Sequence, residues 1–161
     1  MMGRVAYFSL CLFDILLFST FPEAEASICA RNWLQNQRNC SAYFDTKMTW
    51  HQAEIECQSY GRGAHLASIL SEAEANLLAH HISSHQQIPN NVWIGLHDPR
   101  GNRRWRWSDE SVYNFQAWNQ SQPNISRRSK YCVELLLSTG FKKWKNALCR
   151  KPNTYICKYQ L

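Results

Sequence analysis

Residues 93–96, Trp-Ile-Gly-Leu, constrain the fold of this chain more than any other stretch. Three apolar residues flank one glycine, and turn-forming residues lie on both sides of the run. A short apolar run between turns predicts a strand that is buried on both faces. Gly95 within it predicts that a second piece of backbone approaches this strand closely. Trp105 and Trp107 follow the next turn and are spaced by two, so we expect both to point inward from a second central strand.

Two capping boxes, in which Ser or Thr is followed three residues later by Gln or Glu, predict two helices in the first half of the chain. The pairs are Thr49 with Gln52 and Ser71 with Glu74. Gly61 is expected to end the first helix, and Ser83-Ser84 the second. Apolar residues recur at helical spacing in both, which predicts that Cys57 lies on the buried side of the first helix.

Further short apolar runs predict strands at residues 64–69, 132–137 and 155–158, with another around Tyr43. The polar stretch 114–130 predicts a long loop, and loops of that length usually have a function. Two helices followed by several short strands predict an α+β fold that is held together by disulfides.

The first 26 residues predict a secretory signal peptide. Arg4 precedes an apolar run that contains only one carboxylate, Asp14, and small residues at Ala24 and Ala26 suit cleavage before Ser27. The alternative is a membrane anchor, but the run is short for a membrane span. No second apolar run follows, so we expect residues 27–161 to form one soluble, secreted domain.

Six cysteines remain after the signal segment. They are Cys29, Cys40, Cys57, Cys132, Cys149 and Cys157. An even number in a secreted chain predicts disulfides, although spacing alone leaves about 15 pairings open. A zinc site is disfavoured because no close pair of cysteines has the spacing of zinc ligands.

The positive charge is concentrated in the second half of the chain. From Arg100 onward there are thirteen Lys or Arg against three Asp or Glu, whereas residues 27–99 have four against six. This asymmetry favours a polyanionic partner, and for a secreted protein we expect glycans or microbial surfaces rather than nucleic acid or a membrane. The alternative is charge that serves only solubility.

Several stretches together resemble the C-type lectin-like domain over the whole of residues 27–161. They are the six cysteines, Trp93-Ile94-Gly95-Leu96, Cys132-Val133-Glu134-Leu135, Trp144 and Tyr155-Ile156-Cys157. Residues 56–61, 64–71 and 93–99 are most similar to the Reg (regenerating islet-derived) family, closest to its fourth, gut-expressed type. Venom and eggshell lectin-like proteins share much of this pattern. The resemblance implies two helices packed on short antiparallel sheets with long loops, and the disulfides Cys29–Cys40, Cys57–Cys157 and Cys132–Cys149.

The resemblance also implies a calcium-bridged sugar site, from which this sequence departs. Gln122-Pro123-Asn124 replaces the Glu-Pro-Asn of mannose binders, Lys130 replaces a glutamate, and Trp144-Lys145-Asn146 replaces Trp-Asn-Asp. Calcium takes about six to eight oxygen ligands. The ammonium groups of Lys130 and Lys145 would stand where oxygen ligands are needed, and at ~4 Å they would repel each other by about 4 kcal/mol at an effective dielectric constant near 20. We therefore expect no metal, no other cofactor and no calcium-dependent sugar binding.

Glycans can be bound without the ion, because aromatic rings stack on sugars and Arg or Asn side chains donate hydrogen bonds to hydroxyls and sulfates. The resemblance implies such recognition on the loop after residues 93–96 and on a neighbouring turn. The residues expected to contact carbohydrate are Asp98, Pro99, Arg100, Gly101, Asn102, Arg103, Ser138, Thr139 and Gly140. The alternative is that both turns only connect strands and that Trp105 belongs to the core.

Two sequons, at Asn119 and Asn124, predict N-glycosylation. A glycan on Asn124 would cover the position of the family's calcium site. A third sequon, at Asn39, is discounted because its middle residue, Cys40, is expected to form a disulfide.

His81 and His85 have a spacing that can chelate a metal ion, but no carboxylate or further ligand is evident beside them. We favour a solvent-facing pair. We also expect no enzymatic activity, because nucleophile-elbow and metalloprotease motifs and a plausible carboxylate pair are absent.

Two functions remain. The first is a secreted, calcium-independent lectin for mannose-rich or anionic glycans, acting in mucosal or gut defence or in growth signalling. The second is an interaction protein without sugar activity, whose basic C-terminal half binds heparan sulfate, a cell-surface receptor or mineral. Because the six cysteines are expected to pair within the chain, we expect a monomer.

Overall fold

The computed structural model describes residues 28–126 and 129–161. The predicted signal segment, residues 1–26, lies outside the described residues. Within the described ranges, no helix is long and apolar enough to cross a membrane.

The first helix, α1, spans Trp50–Gln58 and begins as predicted. Thr49 is its N-cap, and both halves of the capping box with Gln52 are formed. The helix ends at Gln58 rather than at Gly61, since the amide of Ser59 closes the last turn on earlier carbonyl groups. Cys57 is fully buried, as predicted.

The second helix, α2, spans Glu72–His85, and the Ser71 hydroxyl accepts a hydrogen bond from the backbone N of Glu74. The predicted capping box is only half formed, because the Glu74 carboxylate accepts from the backbone N of Leu70 and pairs with Lys158 instead. The prediction that Ser83-Ser84 end the helix is wrong. Both hydroxyls donate to carbonyl oxygens one turn earlier, so the helix accommodates them.

Eight strands are found within the described residues. They are β1 Leu34–Asn36, β2 Asn39–Met48, β3 His65–Leu66, β4 Val92–His97, β5 Arg106–Trp107, β6 Cys132–Leu135, β7 Trp144–Ala147 and β8 Asn153–Gln160. Their order is β1-β2-β8-β4-β6-β7, with β3 on β8 and β5 on β4. The predicted α+β class is confirmed. The sheet is mixed rather than antiparallel throughout, because β4 pairs with β8 in parallel.

The central position of β4 is confirmed. Its first five residues are buried, and it pairs with β5, β6 and β8. A Cβ atom on Gly95 would lie 2.5 Å from the carbonyl oxygen of Leu66 and 2.7 Å from the Ser108 Oγ. The predicted close approach of backbone is therefore present, and it belongs to β3.

Three predicted strands are shorter in the structure. β5 begins at Arg106, so Trp107 is buried while Trp105 lies before the strand and is half-buried. The predicted strand at 64–69 pairs only over His65–Leu66. The predicted strand at 132–137 ends at Leu135, and a turn of 3-10 helix follows at Leu137–Thr139.

Three disulfides connect these elements. They are Cys29–Cys40, Cys57–Cys157 and Cys132–Cys149, the pairings that the resemblance implies. The second joins the buried face of α1 to β8, and the third joins the start of β6 to the segment after β7.

The register between β4 and β6 determines which loops meet. The two strands are antiparallel, with His97 opposite Cys132 and Val92 opposite Leu135. The loop that leaves β4 therefore lies beside the loop that leads into β6. The connection from β6 to β7 lies at the other end of the pair, about 17 Å away at ~3.4 Å per residue.

Candidate functional site

A groove of about 680 Å³ lies between the loop after β4 and the loop before β6. We refer to it as the loop groove. Its lining comprises Asp98, Arg100, Gly101, Arg103 and Trp105 from the first loop, Asn124, Ile125, Ser126, Lys130 and Tyr131 from the second, and Asn146 of β7.

Asp98 holds the first loop in shape. It is buried, and its carboxylate accepts hydrogen bonds from the backbone N of Asn102 at 3.2 Å and of Arg103 at 2.8 Å. Its own backbone N donates to the carbonyl oxygen of Tyr131 at 2.7 Å, which joins the two loops. We therefore assign Asp98, one of the predicted carbohydrate contacts, to loop structure.

Two residues with left-handed backbone conformations direct the loop along the groove. Gly101 has φ +63°, and a Cβ atom there would lie 3.2 Å from the ring of Tyr131. Arg103 has φ +66°. The arginine side chains at 100 and 103 are exposed and line the groove.

Two other predicted contacts do not line the loop groove. The Asn102 Oδ1 accepts a hydrogen bond from the backbone N of Arg104 at 3.2 Å, so it is used within its own turn. Pro99 lines a different cavity, beside Trp50 and His97. Burial, which exceeds the other influences, lowers the pKa of His97 and keeps its ring neutral at neutral pH.

Trp105 and Tyr131 provide the aromatic surface of the groove. The Trp105 ring lies 5.1 Å from that of Trp118, whose Nε1 donates to the Tyr113 hydroxyl at 2.8 Å. Trp105 therefore belongs both to the edge of the core and to the groove. Tyr131 was not singled out from the sequence, although its position just before Cys132 places it at the end of β6 that meets the first loop.

Asn146 joins the second loop to β7 and is almost completely buried. Its Oδ1 accepts from the backbone N of Asn124 at 2.7 Å. Its Nδ2 donates to the carbonyl oxygens of Asn124 at 2.9 Å and Lys130 at 3.0 Å. All the polar atoms of this side chain are thus used to hold the loop.

These contacts do not fit a divalent cation. An ion would need the oxygen atoms that already accept hydrogen bonds from the Asn146 amide and from the loop backbone. Lys130 adds a positive charge to the lining. In the part of the chain that the structure describes, no group of three or more His, Cys, Asp or Glu residues could hold a metal.

The predicted pair of ammonium groups is only half present in the groove. Lys145 does not line it, but both lysines line a smaller cavity next to the groove, together with Glu134, Asn146 and Lys151. The Lys151 Nζ pairs with the buried Glu134 carboxylate at 2.8 Å. Lys130 and Lys145 thus share a cavity beside the groove, and the Asn146 hydrogen bonds are a further obstacle to calcium.

The turn at Ser138, Thr139 and Gly140 does not adjoin the loop groove. It is part of the β6–β7 connection at the other end of the strand pair. The Thr139 Oγ1 donates to the carbonyl oxygen of Leu136 at 2.9 Å and accepts from the backbone N of Lys143 at 3.1 Å. The expectation of a neighbouring patch is wrong, because the strand register separates the two turns.

The two sequons lie on either side of the cis Gln122–Pro123 bond. Asn119 is half-buried, and its backbone N donates to the carbonyl oxygen of Trp144 at 2.9 Å. Asn124 lines the loop groove, and its Oδ1 accepts from the Ser126 Oγ at 2.6 Å. Arg127 and Arg128, which follow, lie outside the described residues.

Comparison with known proteins gives a consistent result. Residues 46–159 match the model of the lectin C-type domain. The chain is 40% identical over 156 residues to a "C-type lectin mannose-binding isoform" of Notechis scutatus scutatus, covering 97% of this chain and 98% of the relative. It is 40% identical over 132 residues to human regenerating islet-derived protein 4, covering 82% of this chain and 81% of the relative. Human lithostathine superposes with a TM-score of 0.79 at 32% identity, over 86% of this chain and 99% of that structure.

Proposed function

Because this chain belongs to the C-type lectin domain family, we propose that it is a secreted lectin that binds carbohydrate in the loop groove without calcium. The observation that supports this most directly is the Asn146 amide, whose N–H groups donate to two loop carbonyl oxygens. The loop is held in place by hydrogen bonds within the chain, so it needs no ion to order it.

The charge of the groove supports binding by direct hydrogen bonds. Arg100, Arg103 and Lys130 bring three cations to the lining, and Asp98 is the one carboxylate among the described lining residues. Its two oxygens are already engaged by backbone amides. Guanidinium groups bind sugar hydroxyls, carboxylates and sulfates, and half-buried rings such as Trp105 stack on pyranose faces.

The ligand we propose is a mannose-rich or anionic glycan. Similarity to a lectin described as a mannose-binding isoform supports the first class. The excess of basic residues after Arg100 supports the second. We further propose that the protein is secreted in a mucosal or gut setting, with defence or growth signalling as the biological outcome. The relatives are lectins, and we propose no catalytic activity for this chain.

Glycosylation would modify the same groove. We propose that Asn119 and Asn124 carry N-glycans when the chain is secreted by a eukaryotic cell. A glycan on Asn124 would compete with an external ligand for the groove. Binding should therefore be measured on protein whose glycans have been removed, beside the glycosylated form.

The test is a glycan array read in calcium and in chelator, with two arginine variants. Arg103 lines the groove, and its sequence neighbour Arg104 is exposed but does not. Arg103→Ala should weaken glycan binding about 10-fold or more, as expected for a charge-assisted hydrogen bond of ~1.5–3 kcal/mol. Arg104→Ala removes the same charge and should leave binding almost unchanged. Binding that disappears in chelator, or that both variants weaken equally, would contradict the proposal.

The second candidate function is an interaction protein without sugar specificity, which the thirteen Lys and Arg residues after position 99 favour. It predicts retention on heparin that falls steeply with salt, because screening weakens purely ionic contacts. It also predicts equal effects of Arg103→Ala and Arg104→Ala. The pair of variants therefore separates the two functions.

A further inference from the structure

A pair of histidines on α2 lies outside the loop groove. His81 and His85 are four residues apart, with ring centroids 4.3 Å apart and ring planes tilted by 42°. Side chains at this spacing lie one above the other on the same helix face. His81 is half-buried and His85 is exposed, so solvent reaches the pair.

The backbone fixes which nitrogen of His85 carries the proton. The His85 Nδ1 lies 2.7 Å from the carbonyl oxygen of His81. Because a carbonyl oxygen only accepts hydrogen bonds, Nδ1 is the donor, and the lone pair of the neutral ring is on Nε2. Metal-binding histidines are oriented in the same way, with the second ring nitrogen donating to a carbonyl or carboxylate oxygen.

The distance between the rings is slightly shorter than a shared ion requires. With metal–nitrogen bonds of about 2.0–2.1 Å and an ion in the plane of each ring, two imidazoles at tetrahedral or square angles have centroids about 4.5–5.2 Å apart. The observed 4.3 Å is shorter by less than an ångström at most. Chelation therefore requires the two rings to move apart by less than an ångström, and the exposed position of His85 leaves room for this movement.

We propose that His81 and His85 form a chelating site for a divalent transition-metal ion of the zinc and copper class. Imidazole nitrogen favours these ions over calcium and magnesium, which prefer oxygen. No third His, Cys, Asp or Glu ligand completes the site within the described ranges. Water fills the remaining positions, so the affinity is below that of a four-ligand structural site, with a Kd of roughly 1 to 100 μM.

The test is calorimetric titration of the secreted chain with zinc chloride in a chelator-free buffer, together with NMR of the histidine side chains. We expect one ion per chain and shifts confined to the rings of His81 and His85. His81→Gln and His85→Gln should each weaken binding by at least about 10-fold. His51→Gln is the control, since it removes an exposed histidine of α1 that does not belong to the pair.

Three results would overturn the proposal. They are the absence of zinc binding up to about 1 mM, an affinity unchanged in His85→Gln, and an equal loss in His51→Gln. Because His85 is at the surface, His85→Gln keeps the fold, and circular dichroism verifies this independently of the metal.

Discussion

The buried ammonium group of Lys158 allows a sharp test of what stabilises this fold. Its Nζ donates to the Glu74 Oε1 at 2.6 Å, to the carbonyl oxygen of Ser68 at 2.9 Å and to the Ser68 Oγ at 3.2 Å. The side chains of Lys158 and Glu74 are only 7% and 9% exposed. The pair connects β8 to the first turn of α2.

Lys158→Met keeps most of the side-chain volume and removes the charge. The Glu74 carboxylate would remain buried. It would lose the hydrogen bond from Lys158 and keep the one from the backbone N of Leu70. Breaking a buried ion pair from one side costs about 3–5 kcal/mol. This is a large part of a typical stability of ~5–15 kcal/mol.

Glu74→Gln should cost a similar amount, because Lys158 would then be the uncompensated charge. The double variant buries no charge, so its loss should be smaller than the sum of the single losses by about 2–3 kcal/mol. The assay is guanidinium denaturation with the disulfides intact, read as a shift in midpoint at constant slope. Lys143→Met, at an exposed position, is the control and should change stability by less than about 0.5 kcal/mol. A loss below about 1 kcal/mol in Lys158→Met, or strict additivity in the double variant, would refute the reasoning.

Two further predictions concern packing and alkaline pH. Gly95→Ala should lower the free energy of unfolding by about 1–3 kcal/mol, because the new methyl group would lie 2.5 Å from the backbone oxygen of Leu66. A thermal unfolding midpoint equal to that of wild type would show that the contact between β4 and β3 is not tight. Burial above all, with hydrogen bonds from Thr154 and Gln86 opposing it and Asp45 adding to it, raises the pKa of Tyr43 to about 12. The stabilising contribution of the protonated Tyr43 hydroxyl is therefore complete below pH ~10 and is lost as the pH rises towards about 12. Tyr43→Phe should therefore reduce the loss of stability between these two pH values. An equal loss in the variant and in wild type would contradict the raised pKa of Tyr43.

The sequence predicts the elements whose causes are local. The capping box at Thr49 and the burial of residues 93–96 on both faces of their strand are each predicted from a few adjacent residues, and both predictions are confirmed. Gly95 also predicts a close backbone approach, although not that the approaching segment is β3. The disulfide pairings required the family resemblance, because spacing alone leaves them open.

The interactions that the sequence does not reveal connect distant residues. Glu74 has the position of a capping-box residue, but its carboxylate binds Lys158, 84 residues away. Asn146 is one of many polar residues in the sequence, and its role appears only when β7 places it beside Asn124 and Lys130. Long-range partners of this kind depend on strand order and register, which local pattern does not specify.

The candidate site was predicted in part. The loop after β4 was identified, but its backbone conformation decides which side chains line the groove, so Arg100 and Arg103 line it while Asn102 does not. The second wall, with Tyr131, comes from pairing between His97 and Cys132. The same register separates the turn at residues 138–140 from the groove.

Calorimetry of the purified protein tests the central claim most directly. Calcium is titrated first into the deglycosylated protein, and mannan or a sulfated glycan is then titrated in the presence of chelator. We predict no stoichiometric heat of calcium binding, followed by saturable glycan binding that Arg103→Ala weakens about 10-fold or more. Tight uptake of one calcium ion at the loop groove, with glycan binding that requires it, would contradict the account.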